Sequence, residues 1–172
     1  ISLCTKLTLE KQKAVTYYFE DTPMETTDQL KSLLASIEEE VPSDTTVYLH
    51  LPAVTYDGDI VFGDHVWGIY GSTEEDTTTT FTGTISMRGM NGNYADISGV
   101  HFAGNSGTGL NAYCLVLLSQ CSFDGWDTAA LAQNGAWVNA MDCDFTNNIT
   151  ALKFNSSSSY GSAPNYLNNT FT

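Results

Sequence analysis

Positive charge is scarce in this sequence. Six Lys and Arg stand against twenty Asp and Glu, a formal net charge of −14. Four of the six, Lys6, Lys11, Lys13 and Lys31, fall in the first 31 positions, leaving Arg88 and Lys153 to face fifteen acidic residues. A nucleic-acid binder needs clustered Lys and Arg to neutralise phosphates, and no such cluster exists. Anionic membrane surfaces are disfavoured for the same reason, and acidic polysaccharides are repelled unless a cation bridges them. Long apolar runs are also missing. The longest, "AYCLVLLSQC", falls far short of the ~20 residues of a membrane span and reads as a buried strand.

Catalytic and metal signatures are equally sparse. There is no CxxC, no Cys/His set with zinc spacing, no GxSxG, no HExxH and no phosphate loop. The sequence begins at Ile1 without a cleavable signal pattern, which fits a segment of a longer, membrane-anchored or multidomain chain. A Ser/Thr/Asn/Gly-rich, Lys-poor composition points to an extracellular or cell-surface location.

With 42% hydrophobic and 15% charged residues, the chain suits a folded domain rather than a disordered one. Residues 1–25 read as an N-terminal extension with strands near Leu7–Leu9 and Ala14–Phe19. Residues 26–41 form the one amphipathic helix. Thr26 and Gln29 make a capping box, Leu30, Leu33, Leu34 and Ile37 give an apolar stripe, and Pro42 ends it. From 44 to 172 the pattern is short β-prone runs separated by Gly, Asn, Ser and Asp turns. The polar run from Asn155 to Ser162 reads as a protruding loop.

Those runs repeat. Phe102, Phe123, Phe145 and Phe171 are spaced by 21, 22 and 26 residues, with Val100, Cys121, Cys143 and Asn169 two positions earlier. Asn105 and Asn148 follow two of the Phe residues by three, and Leu110, Leu131 and Leu152 follow three of them by seven or eight. A period slightly above twenty residues means stacked structural units. The pattern resembles the right-handed parallel β-helix of the pectate-lyase-like superfamily. That resemblance implies an all-β solenoid of about five coils over 44–172, with the helix capping its first coil. The Phe residues would then form an inward aromatic ladder, the Asn residues an amide ladder, and Cys121 and Cys143 a stacked thiol pair.

The resemblance says little about activity, because the superfamily spans lyases, hydrolases and non-catalytic modules. Outward Asp124, Asp142 and Asp144 form a candidate calcium set, since calcium prefers several oxygen ligands and pectate lyases bind it on an outward strand face. The competing reading is solvated strand charge. "Tyr56-Asp57-Gly58-Asp59" is a turn with a weaker calcium claim. Arg88 is the only Arg for a lyase-type base, but it more readily pairs with a nearby acid. His101 stands outward in the column that Ser122 and Asp144 later occupy. Trp126 takes the place of a ladder Asn and is expected to be partly exposed, where a ring can stack on sugar. Trp126, His101 and Arg88 are therefore the candidate ligand-binding residues. The leading expectation is a non-catalytic bacterial surface module for sensing, adhesion or carbohydrate recognition, with a polysaccharide or cell-wall partner. A calcium-dependent polysaccharide lyase or hydrolase is the alternative, and a structural spacer the third.

Overall fold

A computed structural model describes residues 13–89, 94–155 and 166–172. Cys4, the Leu7–Leu9 run and most of the 155–162 loop lie outside them. The described chain is a parallel β-solenoid whose coils each contribute a strand to three faces. The first face stacks Ala14–Tyr18, Thr46–His50, Val66–Tyr70, Tyr94–Ser98, Leu115–Ser119, Trp137–Met141 and Tyr166–Leu167, in that order. The second runs from Thr55–Tyr56 through Thr80–Phe81, His101–Ala103, Ser122–Asp124 and Asp144–Thr146 to Thr170–Phe171. The third holds Ile60–Phe62, Ile85–Met87, Thr108–Ala112, Thr128–Ala132 and Thr150–Phe154.

Alternation along each strand decides what points inward. On the first face Val47, Leu49, Trp67, Ile69, Ala95, Ile97, Val116, Leu118, Val138 and Ala140 are all buried. The aromatic ladder fills the second face and is longer than the four Phe residues suggest. It begins at Tyr56 and Phe81. Ring centroids are 4.2 Å apart for Phe102 and Phe123, 5.2 Å for Phe123 and Phe145, and 5.0 Å for Phe145 and Phe171, all nearly coplanar in orientation.

The turns are shaped by left-handed backbone. Between the first and second faces, Gly99, Gln120, Asp142 and Asn168 occupy equivalent corners with φ of 67°, 52°, 54° and 56°. Amide-bearing and acidic residues tolerate this region better than most side chains, which accounts for the polar residue before each Val/Cys/Asn column. Carboxylates brace the coils at the other corners: Asp59 accepts from the Thr84 amide at 2.8 Å, and Asp57 from the Thr82 hydroxyl at 2.9 Å. The Tyr56–Asp59 turn thus carries intercoil bonds.

The helix spans Thr27–Glu40 with both arms of the Thr26–Gln29 capping box formed. Leu30, Leu34 and Ile37 are buried in the same core as Tyr56, Ile60 and Phe62, and Leu33 packs at its margin. Asp57 donates its amide to Thr27 Oγ1, and Tyr56 its hydroxyl to the Met24 carbonyl. The helix therefore covers the open interior of the first coil, while Ala14–Tyr18 extends the first face on the same end.

Two expectations need correction. Leu131 does not share a column with Leu110 and Leu152; Ala130 does. The turn after Phe123 is one residue shorter than the turn after Phe102, so Thr108 pairs with Thr128 and Leu131 faces outward beside Asn111. The amide ladder is interrupted at Trp126, as the Trp in place of a ladder Asn implies. Asn148 instead accepts from the Trp126 amide and donates to the Phe123 carbonyl. Trp126 is not partly exposed: it is buried, at 3% exposure, and donates its indole N–H to the Phe102 carbonyl. The ring lies across Gly104 and Gly109, where a Cβ would stand 2.3 Å and 3.0 Å from its atoms.

Candidate functional site

The corner between the first and second faces projects side chains outward into a groove of about 380 Å3. One wall is the antiparallel hairpin Thr73–Glu74/Thr77–Thr78, an insertion in the second coil. Its Thr73 and Thr78 hydroxyls lie 3.1 Å apart and pair with each other. The floor and opposite rim carry Gln120, Ser122, Asp142 and Asp144. The second-face register runs His101, Ser122, Asp144, so the outward column expected for His101 is formed. His101 Nδ1 lies 2.5 Å from Ser122 Oγ.

The expected calcium set does not come together at one point. Asp142 and Asp144 line the groove, but Asp124 sits in the neighbouring column opposite Thr146 and accepts from Asn147 Nδ2 at 3.0 Å. Among the described residues no group of three or more His, Cys, Asp or Glu is placed to hold a metal ion. Arg88 is remote from this corner. It lies on the third-face side, with Val61, Asp64, Ser86 and Tyr113 around a separate groove. The expected ion pair does not form: among the described residues Lys13–Asp44, at 3.5 Å, is the one ion pair.

The thiol pair is as expected. Cys121 and Cys143 are buried and unbridged. The Cys121 thiol is pushed well above the ordinary thiol range by its hydrogen bond to Cys143 and by burial. Burial likewise raises Cys114 to about 11. Cys121 and Cys114 are therefore inert core thiols.

The outer side of the first face carries a second outward-facing surface, rich in aromatic residues. Its outward column Tyr18, His50, Tyr70 is a stack, with centroids 4.6 Å and 5.1 Å apart. Tyr48 lies over Gly68, where a Cβ would stand 2.5 Å from its ring, and runs nearly parallel to Tyr70. Tyr94, Leu115 and Trp137 form another outward column. Asp96 is the only carboxylate among the outward positions of these strands, and no Lys or Arg accompanies it. On a chain of −14 this is a conspicuously neutral surface. Seven strands at ~4.8 Å spacing make it about 29 Å long, and five residues at ~3.3 Å make it about 16 Å high.

Asp96 titrates above the usual carboxylate range because it is partly desolvated, and burial together with Asp96, Tyr48 and Tyr94 raises Tyr70. A carboxyl that is raised on folding binds its proton more tightly in the native state. Native stability therefore falls as pH rises from the unfolded-state pKa through the folded one. Asp96→Asn is expected to melt above the parent at pH 7 and level with it at pH 3. An unchanged difference between the two pH values in scanning calorimetry would contradict this.

The signal for this surface was present in "VTYY", "VYLH" and "VWGIY", where aromatic residues recur at outward positions. It becomes visible only when those strands are set in register. Comparisons with protein-family models, curated proteins and solved structures gave no match to this chain. The class defined here is therefore that of the fold, a parallel β-solenoid with an aromatic outer face.

Proposed function

We propose that the chain is a carbohydrate-recognition module of a bacterial surface or membrane-anchored protein, binding a neutral, linear polysaccharide along its first face. The supporting observation is the composition of that face: tyrosines, Trp137, small polar groups and the aliphatic side chains of Leu115, Leu117 and Met141, with one carboxylate and no Lys or Arg. Because Tyr18, His50 and Tyr70 stack on one another, their edges meet solvent, and Tyr18 closes the column at 46% exposure. Phenol hydroxyls and ring edges offer both hydrogen bonds and apolar contact, which suits the alternating polar and C–H surfaces of a sugar. A length of about 29 Å accommodates several sugar units. The charge of the chain works against polyuronates.

Affinity electrophoresis through gels carrying neutral plant or cell-wall glycans tests this. The parent is expected to be retarded by at least one neutral polysaccharide. Tyr48→Ala and Tyr70→Ala each weaken retention about tenfold, in line with ~1.4 kcal/mol for one interfacial aromatic. Retention by neutral glycans that survives both substitutions would place binding elsewhere.

A further inference from the structure

The corner groove carries an arrangement that recognition on the first face does not use. Ser122 Oγ and His101 Nδ1 are 2.5 Å apart, in the direct hydrogen-bond contact that a nucleophile and its base require. The pairing follows from the coil register, which sets the two residues opposite each other on adjacent strands of the second face. With His101 in its Nε2–H tautomer, the Ser122 hydroxyl donates to Nδ1. Ser122 lines the groove directly, so an incoming carbonyl can reach its oxygen. Gln120, held at the corner with φ 52°, lines the same groove; its backbone N–H is given to the Met141 carbonyl, so its side-chain amide is the donor it brings to the groove. Asp142 and Asp144 bar anionic groups from the rim.

We infer that this groove hydrolyses neutral acyl esters of hydroxyl-bearing molecules, with Ser122 as nucleophile, His101 as general base and Gln120 as donor to the oxyanion. Ser122 Oγ attacks the ester carbonyl carbon while its proton passes to His101 Nδ1. Collapse of the tetrahedral adduct breaks the bond to the alcohol oxygen, which leaves with the proton from His101. Water then attacks the acyl–Ser122 ester and gives a proton to the same nitrogen. The carboxylic acid departs, and Ser122 regains its proton. The sum is ester plus water giving alcohol plus acid. Asp144 adjoins Ser122 rather than His101 in the column, so the base lacks the usual carboxylate behind it. A dyad of this kind works more slowly than a full triad.

The test needs no glycan, so its failure is distinct from failure of the recognition reading. The intact protein is treated with a fluorophosphonate probe and digested, and the adduct is located by mass. The parent is expected to carry one adduct on Ser122, and both Ser122→Ala and His101→Gln to carry none. Hydrolysis of 4-nitrophenyl acetate is expected to fall about 100-fold in either variant, the usual scale of general-base assistance. Unchanged circular dichroism would show that both variants keep the fold, as outward side chains should. An unlabelled parent, or hydrolysis retained in folded Ser122→Ala, would overturn the inference.

Discussion

Phe123→Ala is expected to cost about 3–5 kcal/mol, the range for deleting a fully buried aromatic ring from a close-packed core. For a domain of this size that corresponds to a melting point lower by about 10 °C. Phe123 is fully buried and stacked on both sides, 4.2 Å from Phe102 and 5.2 Å from Phe145. Its removal opens a void between two coils that the backbone cannot close, because the ladder hydrogen bonds fix their separation. Phe171 provides the internal comparison. It has a single ring partner, Phe145, and remains 54% exposed. Phe171→Ala should therefore cost well under half as much. Equal losses at the two positions, measured by urea unfolding, would mean that stacking within the solenoid contributes little.

Gly83→Ala is expected to be the most disruptive small substitution, costing about 3 kcal/mol or more, at or beyond the upper end of ordinary overpacking. A Cβ at Gly83 would stand 2.1 Å from the Gly58 carbonyl carbon, 2.3 Å from its oxygen and 2.6 Å from the Asp59 nitrogen. All three are backbone atoms of the preceding coil, so no rotamer change relieves the contact. The coils would have to part at the turn where Asp59 accepts from the Thr84 amide. Gly107→Ala offers a contrast, because a Cβ there meets nothing within 4 Å and the cost is limited to its φ of 71°. A Gly83→Ala protein that melted level with the parent would contradict the coil spacing.

The solenoid was legible because its period is written in bulky residues. Phe102, Phe123, Phe145 and Phe171 recur at nearly constant spacing, and polar residues able to adopt left-handed backbone mark one set of corners. The helix was legible for a local reason, since a capping box and an i, i+3, i+4, i+7 stripe need no tertiary information. Trp126 was misread because its burial depends on Gly104 and Gly109 in the preceding coil, which leave room for the ring. Leu131 was misread because one residue fewer in the turn after Phe123 reverses inward and outward beyond it.

The candidate site was harder to read than the fold. His101, Asp142 and Asp144 were singled out; the register sets His101 and Asp144 on either side of Ser122, which no sequence motif marks, and Asp142 lines the same groove from the corner. Asp124 was separated from them by a shift of one outward column. The first-face aromatics come from strands far apart in sequence, so their shared surface appears only once Tyr18, His50 and Tyr70 are stacked.

The central claim is that a neutral glycan occupies the first face without help from a metal. The direct measurement is the melting temperature of the intact protein in a calcium chelator, with neutral polysaccharides in one series and polyuronates in the other. A ligand that binds only the native state raises the melting point. The account predicts a rise with at least one neutral polysaccharide, undiminished by the chelator and lost in a Tyr48→Ala/Tyr70→Ala double variant, and no rise with polyuronates. A rise confined to polyuronates and abolished by the chelator would contradict it.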